Sequence, residues 1–151
     1  MKNMSRWLMI AVAAMVALMT GCASVPMASP ERDSAAKTFA VNPDKANIYV
    51  YRNETIGAAI KMPLALNGKL IGDTAAMTYL VLEVPPGPQT LLSKTENDST
   101  LTIDAVAGRN YFVWQEVKMG VFAARSALQQ VDEAKGKAGV AECKLIESAK
   151  Q

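Results

Sequence analysis

Asn67-Gly68 lies between two apolar runs, Lys61 to Leu66 before it and Lys69 to Ile71 after it. Both residues tolerate the positive φ that a type I′ turn requires, so the pair closes a two-residue antiparallel hairpin. A hairpin alone is not stable in water and needs further strands to bury its apolar face. The neighbouring sequence supplies them. Ile48 and Val50 alternate with Tyr49 and Tyr51, Leu80, Leu82 and Val84 alternate with Tyr79, Val81 and Glu83, and Leu101, Ile103 and Ala105 alternate with Thr100, Thr102 and Asp104. Gln89 to Lys94 and Tyr111 to Val117 read as two more strands. Pro85-Pro86-Gly87-Pro88, Thr95 to Ser99, Gly108-Arg109-Asn110 and Lys118-Met119-Gly120 read as the turns between them. Short strands at this spacing predict a mainly β fold, a small antiparallel β-sandwich. Pro63 has no N–H to donate, so its strand lies on an edge or begins late.

The flanks of this region read differently. Ser126 to Val131 is a last strand, and Val131, Ala134, Ala138, Ala141 and Leu145 fall near helical spacing, which predicts a short C-terminal helix over Asp132 to Glu142. Gly136 and Gly139 weaken that helix by roughly 1 kcal/mol each relative to Ala. The β-rich domain is thus assigned to residues 44–148. Ahead of it, residues 22–43 contain Ser24, Pro26, Ser29, Pro30, Ser34 and Asn42-Pro43, with few apolar residues at either spacing. They read as a flexible tether with a typical reach of about 25 Å.

Residues 1–21 form a third kind of segment. Lys2 and Arg6 precede Trp7 to Met19, an uncharged apolar run of thirteen residues. That is the anatomy of a secretory signal peptide, and it is too short for a bilayer span of about 20 residues. Leu18-Met19-Thr20-Gly21-Cys22 closes the run and resembles the lipobox of bacterial lipoproteins, with Met19 standing where the family usually has Leu. The resemblance implies that a signal peptidase recognises Leu18, Met19, Thr20 and Gly21 and cuts before Cys22. Cys22 then carries a covalent diacylglyceryl group and an N-acyl lipid, and no other cofactor is expected. The membrane itself becomes a partner through this anchor. Ala23 and Ser24 include no Asp resembling an inner-membrane retention signal, so the resemblance implies the bacterial cell envelope, at the outer membrane and facing the periplasm.

Cleavage also changes the charge. The full chain has 16 basic and 14 acidic residues, and Lys2 and Arg6 leave with the leader, so the remaining 130 residues are formally neutral. A neutral domain has no electrostatic reason to bind nucleic acid, and none is expected as a partner. With Cys22 lipidated, Cys143 is the one free thiol, and it reads as a small buried apolar residue.

Lys45 to Ile146 as a whole is similar to a bacterial lipoprotein family defined by domain of unknown function 2846, through Ile48-Tyr49-Val50-Tyr51-Arg52 and Gly108-Arg109-Asn110-Tyr111-Phe112. Leu64 to Asp73, followed by Tyr79 to Thr90 with its Pro86-Gly87 turn, also resembles the PEGA-type surface-associated β domain. These motifs are strand and turn residues, so the resemblance implies a fold and no reaction.

The chain has no histidine, which excludes Ser-His-Asp and Cys-His catalysis and His-containing zinc sites. Asp73, Glu83, Asp104 and Glu116 lie on different predicted strands and are the candidates for a paired-carboxylate hydrolase. Tyr111 and Trp114, with Arg109 as a polar partner, are the candidate binding face. The aromatic residues either complete the core or offer a platform for a sugar ring or a partner's apolar side chain, with Arg52 and Arg125 as other polar candidates. The reading favoured by sequence is a membrane-anchored periplasmic lipoprotein that is not an enzyme. Its β domain is a non-catalytic interaction or structural module of the envelope, with an envelope protein or peptidoglycan as partner. Glycan binding and carboxylate-dependent hydrolysis are the alternatives.

Overall fold

The segment Ala46-Asn47-Ile48-Tyr49-Val50-Tyr51-Arg52 is buried at every position, so both faces of the strand it forms must be covered. The computed structural model of the protein describes residues 24–149, and its layers follow from that requirement. In chain order the elements are α1 (Pro30–Ala36), β1 (Ala46–Arg52), β2 (Met62–Leu66), β3 (Lys69–Thr74), β4 (Thr78–Val84), β5 (Gly87–Lys94), β6 (Asp98–Ala105), β7 (Asn110–Met119), β8 (Ala124–Val131), α2 (Glu133–Glu142) and β9 (Lys144–Leu145). One sheet has the order β8-β7-β1-β4-β9 and the other β3-β2-β5-β6. The first sheet lies between the second sheet and the two helices.

Strand β1 pairs antiparallel with β4 but parallel with β7, and β9 is parallel to β4. The sandwich is therefore antiparallel only in the main. After β4 the chain crosses to the second sheet, runs up β5 and down β6, and returns beside β1 in the direction of β1. Ile48, Val50, Leu82 and Val113 face Leu64, Leu91 and Ile103 across the main core. Tyr49, Tyr51, Tyr79 and Phe112 face the helices. The Asn67-Gly68 hairpin forms as the sequence predicts, with φ of 50° and 81° at its two turn residues. Strand β2 is internal, and its pairing with β5 begins only at Leu64. Pro63 thus sits beyond the first rung on that side, the late start its missing N–H requires.

The predicted C-terminal helix is present, and Asp132 caps it by accepting from the Lys135 N–H at 2.9 Å. Its glycines have a different role from the one the sequence suggests. A Cβ on Gly136 would lie 2.2 Å from Phe112, and one on Gly139 would lie 2.2 Å from Tyr51. They let the helix backbone rest directly on two aromatic rings.

The stretch read as a flexible tether is corrected from Val25 onwards, where it is laid along the domain. Val25 is buried in the main core. The Ala28 N–H donates to Leu145 O at 3.0 Å, the Glu147 N–H to Pro26 O at 2.8 Å, and Met27 bridges Ile146. Helix α1 is capped by Ser29 and has Pro30 in its first turn. Phe39 closes an aromatic cluster, 5.3 Å from Tyr49 and 5.7 Å from Phe112 between ring centroids. Few of these residues are apolar, and polar contacts complete the docking. Asp33 accepts from Lys37 Nζ and from the Leu145 N–H, both at 2.9 Å, and Lys37 Nζ also donates to Cys143 O at 2.7 Å. Asn47 and Asn110 donate side-chain N–H groups to Ala40 O and Phe39 O. A sparse apolar pattern conceals an ordered segment because hydrogen bonds to β9 and to the starts of β1 and β7 do much of the holding. The folded unit accordingly begins near Val25, ahead of the boundary at residue 44.

Two outcomes follow for stability. Gly139→Ala should lower it by about 1–3 kcal/mol in urea denaturation, although Ala is the better helix former; a gain would contradict the packing described. Burial works against the Asp33 charge, but the bonds from Lys37, the Leu145 N–H and Tyr79 outweigh it and hold the carboxyl below its ordinary 3.8. A depressed pKa contributes stability above the unfolded value and loses it as pH falls through the folded one. The N-terminal segment should therefore loosen on acidification below about pH 4, and Asp33→Asn should remove that step from a pH titration of its proteolysis.

Candidate functional site

The last rung between β1 and β7 pairs Tyr51 with Trp114, yet β7 continues to Met119 and pairs with β8 from Phe112 to that end. The β7–β8 hairpin therefore projects past the end of β1, where it meets the loop that follows Arg52. Between loop and hairpin lies a groove of about 300 Å³ lined by Ile56, Ile60, Val117, Met119 and Phe122. The hairpin tip is apolar and open to solvent: Met119 is 87% exposed, Val121 80% and Phe122 96%.

Buried and charged groups hold both walls. Arg52 has no exposed surface. Its guanidinium donates to Ile60 O at 2.8 Å, Gly57 O at 2.7 Å and Ile56 O at 3.3 Å. Burial lowers its pKa, and the nearby Glu54 offsets that only in part. Glu54 in turn accepts from the Val117 N–H at 2.9 Å, tying the loop to β7. On the other wall, Glu96 reaches from the β5–β6 turn and accepts from the N–H groups of Val121, Phe122 and Ala123 at 3.1, 2.8 and 2.7 Å. Hydrogen bonds from the backbone of Ala123, Phe122 and Val121 hold the Glu96 carboxyl below its ordinary 4.5. Both carboxylates are thus engaged by backbone, while Lys61 and Arg125 near the groove are exposed.

Beneath the groove a buried polar chain joins the two sheets. Thr74 donates to Gln115 Oε1, Gln115 Nε2 donates to Ser93 Oγ at 2.7 Å, and Ser126 Oγ donates to Ser93 Oγ at 2.8 Å. The four come from β3, β7, β5 and β8, so each bond fixes one sheet against the other, and hydrogen bonding relieves the cost of burying them. The exposed flank of β8 is closed as well. The Asn97 side chain pairs with both the N–H and the C=O of Ser126 at 3.0 Å, and Ser99 Oγ accepts from the Leu128 N–H at 2.9 Å. A strand edge so occupied does not offer a template for another chain.

The candidate face of Tyr111, Trp114 and Arg109 does not assemble. Positions three apart on a strand point to opposite faces. Tyr111 lies on the sandwich side, where its hydroxyl accepts from the Val106 N–H at 3.0 Å and meets Asp104 O at 3.3 Å. Trp114 faces the helices, half-buried beneath Lys135, whose Nζ is 5.0 Å from the ring centroid. Arg109 is exposed in the turn before β7. Phe112 shares the face of Trp114 and is buried. Asp73, Glu83, Asp104 and Glu116 remain on four separate strands, β3, β4, β6 and β7, and Glu116 is paired with Lys118 at 3.2 Å. Among the described residues no group of three or more acidic, cysteine or histidine side chains is placed to hold a metal ion. Cys143 is fully buried, and burial pushes its thiol up to about 12, so it is not a nucleophile at neutral pH. Leu18, Met19, Thr20, Gly21 and Cys22 lie outside the described residues.

No sequence motif marks the groove. Its signal is Val121-Phe122 directly after a turn glycine, two large apolar residues where a polar turn would be ordinary.

Two measurements check these supports. Arg52→Ala should destabilise the fold by about 3 kcal/mol or more, since it removes a buried side chain and leaves three inward carbonyls unpaired; a loss below about 1 kcal/mol would mean that the loop is held by other contacts. The backbone amide shifts of Val121, Phe122 and Ala123 should titrate together at a pH below 4.5, the direction in which Glu96 is moved. Glu96→Ala should abolish that titration.

A family model described as a protein of unknown function (DUF2846) matches residues 42–127. A Haemophilus influenzae protein described as uncharacterized is 36% identical over 134 residues, covering 87% of this chain and 79% of its own. No solved structure matches.

Proposed function

Since the chain belongs to the DUF2846 family of proteins of unknown function, which implies a fold and no reaction, we propose a function from the surface it presents: a membrane-anchored periplasmic lipoprotein whose β domain is a non-catalytic interaction module. The lipid on Cys22 holds it in the envelope, at the outer membrane, and the apolar groove at the β7–β8 end engages a partner. The observation that carries this reading is the exposed Met119, Val121 and Phe122 side chains on a tip whose three amides are bound by Glu96. A turn needed only to connect two strands gains nothing from large apolar side chains in water, and an exposed apolar patch on a fixed backbone is a mark of a contact surface. The lipobox resemblance supports the anchor, and the lack of histidine supports a role without nucleophilic catalysis.

Replacing Cys22 with Ser and fractionating the cells tests the anchor; unchanged membrane association would sink it. A photo-crosslinking residue at Phe122 should capture one reproducible envelope protein in intact cells, and Val121→Asp should abolish the adduct. If no adduct forms and the purified domain pellets with peptidoglycan instead, the groove is not the contact surface and glycan binding replaces this reading.

A further inference from the structure

The N-terminal segment fixes where the domain stands. Followed backwards, the chain runs from Ala28 beside Leu145 to Pro26 beside Glu147, with Val25 sunk into the core. Beside it the C-terminal segment runs from Lys144, next to Thr78, to Ala149, whose N–H donates to Ile71 O at 2.8 Å. Both segments thus lead away from the Thr78 end of the sheet towards the end of β3 that begins with Lys69 and Leu70. Thr78 pairs with Arg52, which carries the groove loop. The β7–β8 tip lies farther out in the same direction, five residues past the Tyr51 rung, or about 16 Å of strand. The Val25 end of the described segment and the groove are therefore at opposite ends.

Only Ala23 and Ser24 stand between Cys22 and the buried Val25. Three peptide units span at most about 11 Å, far short of the roughly 25 Å that twenty flexible residues would give. We infer that the segment after the anchor is a strap and not a spacer: it seats the domain directly on the bilayer that holds Cys22, with the Asn67–Leu70 turn towards the lipid and the Phe122 tip pointing away from it. Asn67, Gly68, Lys69 and Leu70 are all exposed, and Lys69 with Leu70 offers one cation and one apolar side chain to a headgroup layer. This rests on the lipid anchor proposed above. It gives the groove an orientation, so that its partner approaches from the periplasm and not from the host membrane.

The test uses the lipidated protein in vesicles of phosphatidylethanolamine and phosphatidylglycerol. Cys143 is buried and Cys22 is blocked by lipid, so Leu70→Cys and Phe122→Cys each offer one reactive thiol for an environment-sensitive fluorophore. Quenching by lipids brominated or spin-labelled near the headgroup should be several-fold stronger at position 70 than at position 122. Inserting ten Gly/Ser residues between Ala23 and Ser24 should bring position 70 down to the level of position 122. Equal, weak quenching at both positions in vesicle-bound protein would overturn the strap, as would stronger quenching at position 122, while the anchor would survive either result. Failure of the wild-type protein to float with vesicles would overturn the anchor, and the inference with it.

Discussion

Burial of both faces of β1 is the constraint on which the other layers depend. A strand with Ile48 and Val50 on one side and Tyr49 and Tyr51 on the other cannot face water on either. The second sheet covers the aliphatic side and the helices cover the aromatic side. Tyrosine suits the second task because its ring packs while its hydroxyl reaches a partner at the layer boundary. Tyr49 donates to Ala36 O at 3.0 Å and Tyr79 to Asp33 O at 3.3 Å, so the rings under the helix layer also bind the N-terminal segment. The close seat of α2 on Phe112 and Tyr51 is the other half of the same arrangement.

Polar groups then determine where the sandwich ends and what it shows. Gln115, Ser93, Ser126 and Thr74 fix the sheets to each other beneath the groove, and Arg52, Glu54 and Glu96 hold the loops above it. Each is engaged by backbone or by another buried side chain, which suits a surface kept rigid before any contact is made. A preorganised apolar tip loses less entropy on binding than a loose one.

Much of the sheet structure was legible because period-two alternation is local. Leu80, Leu82 and Val84 fall on the core side and Glu83 is exposed, as the pattern requires. The Asn67-Gly68 turn was legible for the same reason, since two residues determine it. The parallel placement of β7 beside β1 was not, because it depends on how the chain crosses between sheets. Tyr111 and Trp114 share aromatic composition, but their spacing of three divides them between faces. The order of the N-terminal segment is not legible in the sequence because Val25 and Phe39 are isolated apolar residues whose burial depends on strands distant in sequence. Hydrogen bonds such as Asp33 to Leu145 leave no periodic trace.

The chain from Val25 to Phe39 belongs to the fold, and the orientation inferred for the groove depends on it. Native-state amide hydrogen exchange probes this at the N–H groups of Ala28, Leu145 and Glu147, which bond across the junction. Protection at all three should stand well above that of a free chain and be lost together when Asp33 is changed to Ala. Exchange of the Ala28 and Glu147 amides at free-chain rates, with β1 still protected, would show the segment to be a loose tether outside the fold.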